Sequence, residues 1–286
     1  MFNIKKLNSI SNVVYDYLDA GSYSVGENIN DYDAIIVRSA NCCDIDFPNS
    51  LIAIARAGTG VNNIPVQKCS EKGIVVFNTP GANANGVKEL VLAGMFIASR
   101  NILGAVEWAK TLKGTEGILP QVEKGKKKFT GPELAGKTLG VIGLGAIGVM
   151  VANAAYSLGM KVIGYDPYIS IESAWGLSQH VGRALQLEPL LKAADYITLH
   201  IPLVDATKSF IGPAEIAKMK KGVVLMNFAR NGLVDYEPLY SALESGHVGK
   251  YVTVFPDDKL LGVGNAICIP HLGASTPESE ENCAKM

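Results

Sequence analysis

The chain is short of the features that mark a polyanion, membrane or disulfide specialist. Lys plus Arg total 26 against 27 Asp plus Glu in 286 residues, so no basic excess exists to hold nucleic acid or an anionic membrane surface. The five cysteines, Cys42, Cys43, Cys69, Cys268 and Cys283, follow no paired spacing. That excludes a disulfide scaffold and gives no metal site, and with no signal-like segment ahead of them the expected setting is a reducing, cytoplasmic one. Long hydrophobic runs are also scarce. Only Thr138 to Met160 is uncharged over a bilayer-spanning length, and Gly140, Gly143, Gly145, Gly148, Asn153 and Ser157 interrupt it. Such a stretch suits a buried strand turning into a buried helix better than a lipid-facing span, so a soluble protein is expected. Its partners should be small molecules or other subunits.

What is present is a rhythm of short apolar runs and longer helical patterns, the signature of parallel sheets covered by helices. In a first block, Ala34 to Val37, Leu51 to Ala55 and Ile74 to Phe77 read as strands, with a helix over Ile64 to Lys72. Val87 to Arg100 reads as a long apolar helix, and the polar, lysine-rich stretch Lys110 to Glu133 as a solvated connection. A second block then opens at Lys137. Its strands are Thr138 to Ile142, Lys161 to Tyr165, Tyr196 to His200, Val223 to Asn227 and Tyr251 to Val254. Its helices are Ala146 to Leu158, Glu188 to Ala193, Pro213 to Met219 and Tyr236 to Glu244.

Gly143, Gly145 and Gly148 form a GxGxxG where the first strand of this block hands over to a helix. The first glycine permits the tight turn, the second lets backbone approach a pyrophosphate, and the third lets helix and strand pack closely, while the helix N-terminus adds partial positive charge. Asp166 ends the next strand, 18 residues past Gly148. A carboxylate there accepts hydrogen bonds from ribose hydroxyls and repels a 2′-phosphate, so the cofactor is read as NAD on a Rossmann domain. Arg230 and His271 follow later strand ends, where such sheets bind ligands. Arg230 is a fixed planar cation suited to a carboxylate beside a carbonyl, and His271 can exchange a proton near neutral pH. Taken singly, Arg230 reads rather as a surface ion-pair partner and His271 as a loop residue.

The strings VRSA from Val37, ARAGTGVNNIP from Ala55, FNTPGANANGVKEL from Phe77, GLGAIG, NFARNGLVD from Asn227 and PHLGAST from Pro270 occur in one order. In them the chain resembles the D-2-hydroxyacid dehydrogenase family, and within it the D-3-phosphoglycerate dehydrogenase branch. The resemblance implies a Rossmann cofactor domain (91–276) inserted into a smaller flavodoxin-like α/β substrate domain (1–90, with 277–286 returning to it), both with parallel sheets. It implies an active site in the cleft between them and a homodimer through the cofactor domain. By motif position Arg230 would bind the substrate carboxylate and carbonyl, and His271 would protonate the carbonyl oxygen. Thr59, Gly60 and Val61 would cradle the carboxylate beside Asn83, and Arg38 and Ser39 would hold a substrate phosphate. Further cofactor contacts are implied at Ala146, Ile147, His200, Pro202, Thr207, Asn227, Ala229 and Val254.

The departures are local. The family's Asp that holds the nicotinamide end is placed at Val254, and the Glu that orients the catalytic His falls on Asp258 if Phe255 sets the register, or on Lys259 counting from Val254. The chain also ends at Met286, where the family continues along a helix. The leading expectation is an NAD-dependent oxidoreductase interconverting 3-phosphoglycerate and 3-phosphohydroxypyruvate. A second expectation is a reductase of glyoxylate, hydroxypyruvate or another D-2-hydroxyacid couple, and a third is an NAD-binding sensor or scaffold without turnover.

Overall fold

The computed structural model describes residues 1–8 and 10–286. By the density of their internal contacts they form two units, Met1–Gly86 with Gly273–Met286, and Val87–Leu272.

The first unit carries β1 (Phe2–Leu7), β2 (Tyr23–Gly26), β3 (Ala34–Val37), β4 (Ala53–Arg56), α1 (Val66–Glu71) and β5 (Val75–Asn78). All pairings are parallel and the order is β2-β1-β3-β4-β5, the flavodoxin-like winding. Ile35, Val37, Ile54, Cys42 and Cys69 are fully buried at its centre. β1 and β2 escape the sequence reading for a physical reason. Lys5 and Lys6 interrupt the apolar run of β1, yet both lay their ammonium groups over aromatic rings, Lys5 at 5.1 Å from the centre of Tyr32 and Lys6 at 5.6 Å from that of Tyr15, so the stems pack while the charges stay stabilised.

α2 (Ala84–Ser99) leads into the second unit, followed by α3 (Ile102–Lys110) and α4 (Ile118–Gly125). The expected connection over Lys110 to Glu133 is therefore partly helical. Trp108 explains it: its ring packs on Phe129 at 5.4 Å and closes over Gly125, where a Cβ would stand 2.3 Å from the indole. Among the described residues no single helix is long and apolar enough to cross a membrane. α2 and α3 together have the length but meet at a 69° bend, and Val91 and Met95 of α2 are fully buried in this unit's core.

The remaining elements alternate: β6 (Thr138–Ile142), α5 (Ala146–Ser157), β7 (Lys161–Tyr165), α6 (Ile171–Gly176), β8 (Gly182–Arg183), α7 (Leu187–Ala193) and β9 (Tyr196–Leu199). They continue with α8 (Pro213–Lys218), β10 (Val223–Asn227), α9 (Tyr236–Glu244), β11 (Val248–Thr253), α10 (Asp258–Leu261) and β12 (Ala266–Cys268). α11 (Pro277–Lys285) belongs to the first unit. The seven strands lie β8-β7-β6-β9-β10-β11-β12, all parallel. This is the Rossmann order, with its topological switch between β6 and β9. β9 and β10 are buried over their whole length, as a sheet covered on both faces requires. Successive side chains feed opposite cores: Leu225 joins Ile197, Leu199 and Leu190, while Met226 joins Leu139, Val141 and Val91.

Gly140 in the middle of β6 shows how tightly one face is closed, since a Cβ there would stand 2.4 Å from Leu190 Cδ2 of α7. Gly140→Ala is expected to cost about 1–3 kcal/mol by overpacking, and Leu190→Ala about 2–5 kcal/mol through its cavity. The double variant should lose clearly less than the sum in urea unfolding. Additive losses would show that the two residues do not meet.

Candidate active site

The turn from β6 into α5 separates what the three glycines do. Gly143 has φ 92°, and a Cβ on it would lie 2.7 Å from the carbonyl of His200. On Gly148 a Cβ would meet the carbonyl oxygen of Gly143 at 1.9 Å. These two are glycine because the protein itself leaves no room. Gly145 is different: a Cβ there would meet nothing within 4 Å, and as the N-cap of α5 it offers no side-chain cap to the helix. Open space beside uncapped helical N–H groups fits an anionic ligand that approaches the backbone. Ala146 and Ile147 continue this first turn, Ala146 exposed and Ile147 half-buried.

Asp166 follows β7 and is fixed against the same turn. Its Oδ2 accepts from the Leu144 N–H and its Oδ1 from the Tyr168 N–H, both at 2.8 Å. Each oxygen keeps a lone pair for a hydroxyl donor. The loop after β9 brings His200, Pro202 and Thr207 together: Thr207 Oγ1 donates to the Pro202 carbonyl at 2.6 Å and accepts from the Val204 N–H at 2.8 Å. His200 Nε2 lies 3.1 Å from Thr198 Oγ1, while its Nδ1 is buried without a partner among the described residues. Burial alone pushes its pKa down to about 3, so the ring is neutral at physiological pH.

Arg230 is set by a fully buried Asn227 at the end of β10. Asn227 Oδ1 accepts from the Ala229 N–H at 3.1 Å and its Nδ2 donates to the Arg230 carbonyl at 2.9 Å. The half-buried guanidinium donates to the Ala229 carbonyl at 2.7 Å, and burial lowers its pKa with no neighbouring charge contributing. Val254 is 4% exposed and lies in the apolar core. Its neighbour Thr253, which the sequence reading passed over, meets the same asparagine, donating from Oγ1 to the Asn227 carbonyl at 3.3 Å.

His271, exposed on the loop after β12, stands edge-on to Phe255 at 5.1 Å between ring centres. Tyr236 holds Phe255 by donating to its carbonyl at 3.0 Å. Of the two candidate partners, Lys259 is spent elsewhere, 3.8 Å from the centre of the Tyr240 ring and 3.7 Å from Glu237. Asp258 is exposed at the first position of α10. Asp257, also passed over, caps α10 at the Leu260 N–H (2.7 Å) and accepts from Tyr240 Oη at 2.6 Å. A carboxylate just ahead of a helical turn was the signal for it.

In the first unit, Thr59, Gly60 and Val61 follow β4, and their N–H groups make no backbone hydrogen bond among the described residues. Thr59 Oγ1 donates to Asn83 Oδ1 at 3.3 Å and its carbonyl accepts from Asn78 at 2.7 Å. Arg38 does not stand free for a phosphate. It pairs with Glu280 and donates to the Ala274 carbonyl at 2.9 Å, tying the C-terminal segment to the sheet. Ser39 is exposed, with its N–H donating to Asn8 Oδ1 at 3.0 Å.

Two outcomes are expected. Gly145→Ala should leave the melting temperature unchanged and weaken NADH by roughly tenfold or more, whereas Gly148→Ala should lose both stability and NADH; equal NADH affinity in Gly145→Ala would mean the open face is not a cofactor face. His200 is neutral when folded but takes a proton below its ordinary 6.5 when unfolded, so stability should fall as pH drops from about 6.5 toward about 3. His200→Asn should flatten that fall in urea midpoints, and an unaltered slope would place its origin in other groups.

The sequence model described as "D-isomer specific 2-hydroxyacid dehydrogenase, NAD binding domain" matches residues 92–273. A D-3-phosphoglycerate dehydrogenase of Methanocaldococcus jannaschii is 42% identical over 264 residues, 89% of this chain and 48% of the relative, so the chain spans about half that protein's length. A hydroxypyruvate reductase of Thermotoga maritima is also 42% identical over 264 residues, 88% of this chain and 81% of the relative. The crystal structure of an NAD+-bound 3-phosphoglycerate dehydrogenase of Entamoeba histolytica superposes with a TM-score of 0.78 at 28% identity, over 99% of this chain and 91% of that one. The chain belongs to the D-isomer specific 2-hydroxyacid dehydrogenase family, and its cofactor is NAD.

Proposed function

We propose that the protein interconverts a D-2-hydroxy acid and its 2-oxo acid with NAD. The observation that carries this reading is Arg230, a half-buried planar cation with no counter-ion among the described residues, at the same carboxyl edge of the sheet as the glycine turn. Bound NAD supplies or takes the hydride. Arg230 grips the substrate carboxylate with its two-pronged fork and opposes the charge that grows on the carbonyl oxygen during reduction. His271 delivers the proton to that oxygen and recovers it in the reverse direction. Asp258 is the carboxylate assigned to orient it. The unpaired N–H groups of Thr59, Gly60 and Val61, with Asn83, supply donors for the carboxylate.

The favoured couple is 3-phosphoglycerate and 3-phosphohydroxypyruvate, supported by the identity to the Methanocaldococcus relative. A second reading, hydroxypyruvate, is favoured by one observation: Glu280 already neutralises Arg38, so a substrate phosphate would have to displace a carboxylate. A homodimer through the second unit is also proposed, supported by the exposed Leu103, Val106, Ile118 and Leu119 of α3 and α4.

Arg230→Lys should lower kcat/KM by about a hundredfold while NADH affinity holds within about twofold, because charge remains but the fork is lost. A variant with unchanged turnover would remove Arg230 from the site. Rates on phosphohydroxypyruvate, hydroxypyruvate, glyoxylate, pyruvate and 2-oxoglutarate then choose the substrate. Under the phosphate reading Arg38→Ala slows only the phosphorylated one, and equal rates on all five, or none with NADH still bound, would sink the reading.

A further inference from the structure

The second unit has a cavity at the opposite edge of its sheet from the glycine turn. β6 is five residues long, about 17 Å at the usual rise per residue, and the cavity opens at its start while Gly143 stands at its end. It holds about 400 Å³, within the usual range for small-molecule sites. Its walls are Lys137 just ahead of β6, the first residues of β9 and β10, Gly249 and Lys250 early in β11, the last turn of α2, and Gly131 and Pro132. The walls close on backbone: a Cβ on Gly131 would lie 2.1 Å from the Ser99 carbonyl oxygen, and one on Gly249 2.6 Å from that of Gly222.

Charge in the cavity is one-sided. Lys137, Lys220, Lys221 and Lys250 line it with Asp195 as the single carboxylate. Asp195 is already used, accepting from the Thr138 N–H at 2.8 Å and from Lys220 Nζ at 2.9 Å. Among the described residues Lys221 and Lys250 form no ion pair, and Lys137 acts on Asp195 only beyond contact distance, helping to hold that carboxyl below its usual range. Lysines commonly follow helix C-termini to offset the dipole, and α2, α7 and α8 end here. Each end offers at most about half a unit of negative charge. Against the four lysines, these three ends and the one carboxylate leave roughly one and a half units of positive charge. Tyr196, Val223 and Val224 supply an apolar floor beside these cations.

We propose that this cavity is a second binding site, for a small phosphorylated anion carrying at least two negative charges, held by Lys137, Lys221 and Lys250 over the Tyr196 floor. Its occupant would bridge the residue ahead of β6 and the starts of β9, β10 and β11, so binding should raise the stability of the second unit. The site is independent of the cofactor and substrate assignments.

The test uses the full chain saturated with NADH, so that the cofactor site cannot capture the probe. Calorimetric titration with pyrophosphate and with ribose 5-phosphate should show one saturable site, weakened by salt, and a rise in melting temperature. Lys137→Gln combined with Lys250→Gln should weaken it by at least roughly tenfold with NADH affinity unchanged. Lys221→Glu, an exposed position, should do the same if the double variant folds poorly. Lys124→Gln with Lys127→Gln, on α4 and the turn after it, should have no effect. Pyrophosphate alone binding would assign the site to inorganic polyphosphate, and ribose 5-phosphate binding as well to a phosphorylated organic metabolite. No binding of either at millimolar concentration, equal affinity in the lysine variants, or tighter binding of a short ribo-oligonucleotide than of both anions would overturn the proposal.

Discussion

The approach of the Gly148 Cα to the Gly143 carbonyl is the contact on which the second unit's chemistry depends. With a Cβ at 1.9 Å, α5 could not start where it does, and its N–H groups would not gather beside the end of β6. The same turn is pressed from its other side by the His200 carbonyl and latched to Asp166 through the Leu144 N–H. Three loops at the carboxyl edge of the sheet are thus located by backbone packing. The side chains that act on a ligand are placed secondarily, on loops already fixed.

This order of dependence explains what could be read from sequence. The glycine turn, Asp166 and the boundaries of β6, β7 and β10 were legible because each has one dominant local cause: a forbidden Cβ, a strand-end carboxylate, a fully apolar strand covered on both faces. β1 was illegible because cation–aromatic packing of Lys5 and Lys6 overrides the polarity of its sequence. The helical character of 118–129 was hidden for a similar reason, as its lysines face solvent while Trp108 and Phe129 supply the packing. Neither cause is visible within a short window of sequence.

The candidate site divides along the same line. Asn227 as organiser of the Arg230 loop follows from a buried amide at a strand end, and the motif placed both residues. Val254 could not be judged by motif position. It enters the core, whereas Thr253 turns to the Asn227 carbonyl, and the pairing of β10 with β11 carries an irregularity between Val223 and Val224 that skips Gly249. A one-residue slip exchanges the faces of every following side chain.

Charges near His271 are sorted by the same kind of competition. Three charged residues, Asp257, Asp258 and Lys259, follow one another after Pro256, and register alone leaves Asp258 and Lys259 open. The structure uses two of them for itself. Asp257 satisfies the Leu260 N–H and the Tyr240 hydroxyl, and Lys259 lies over the Tyr240 ring beside Glu237. Tyr240 thus engages both neighbours of Asp258, one by hydrogen bond and one by cation–π attraction. An ammonium coupled to His271 would disfavour its imidazolium form. With Lys259 committed to Tyr240 and Glu237, Asp258, exposed at the start of α10, is the one of the three with no ion pair or side-chain hydrogen bond among the described residues.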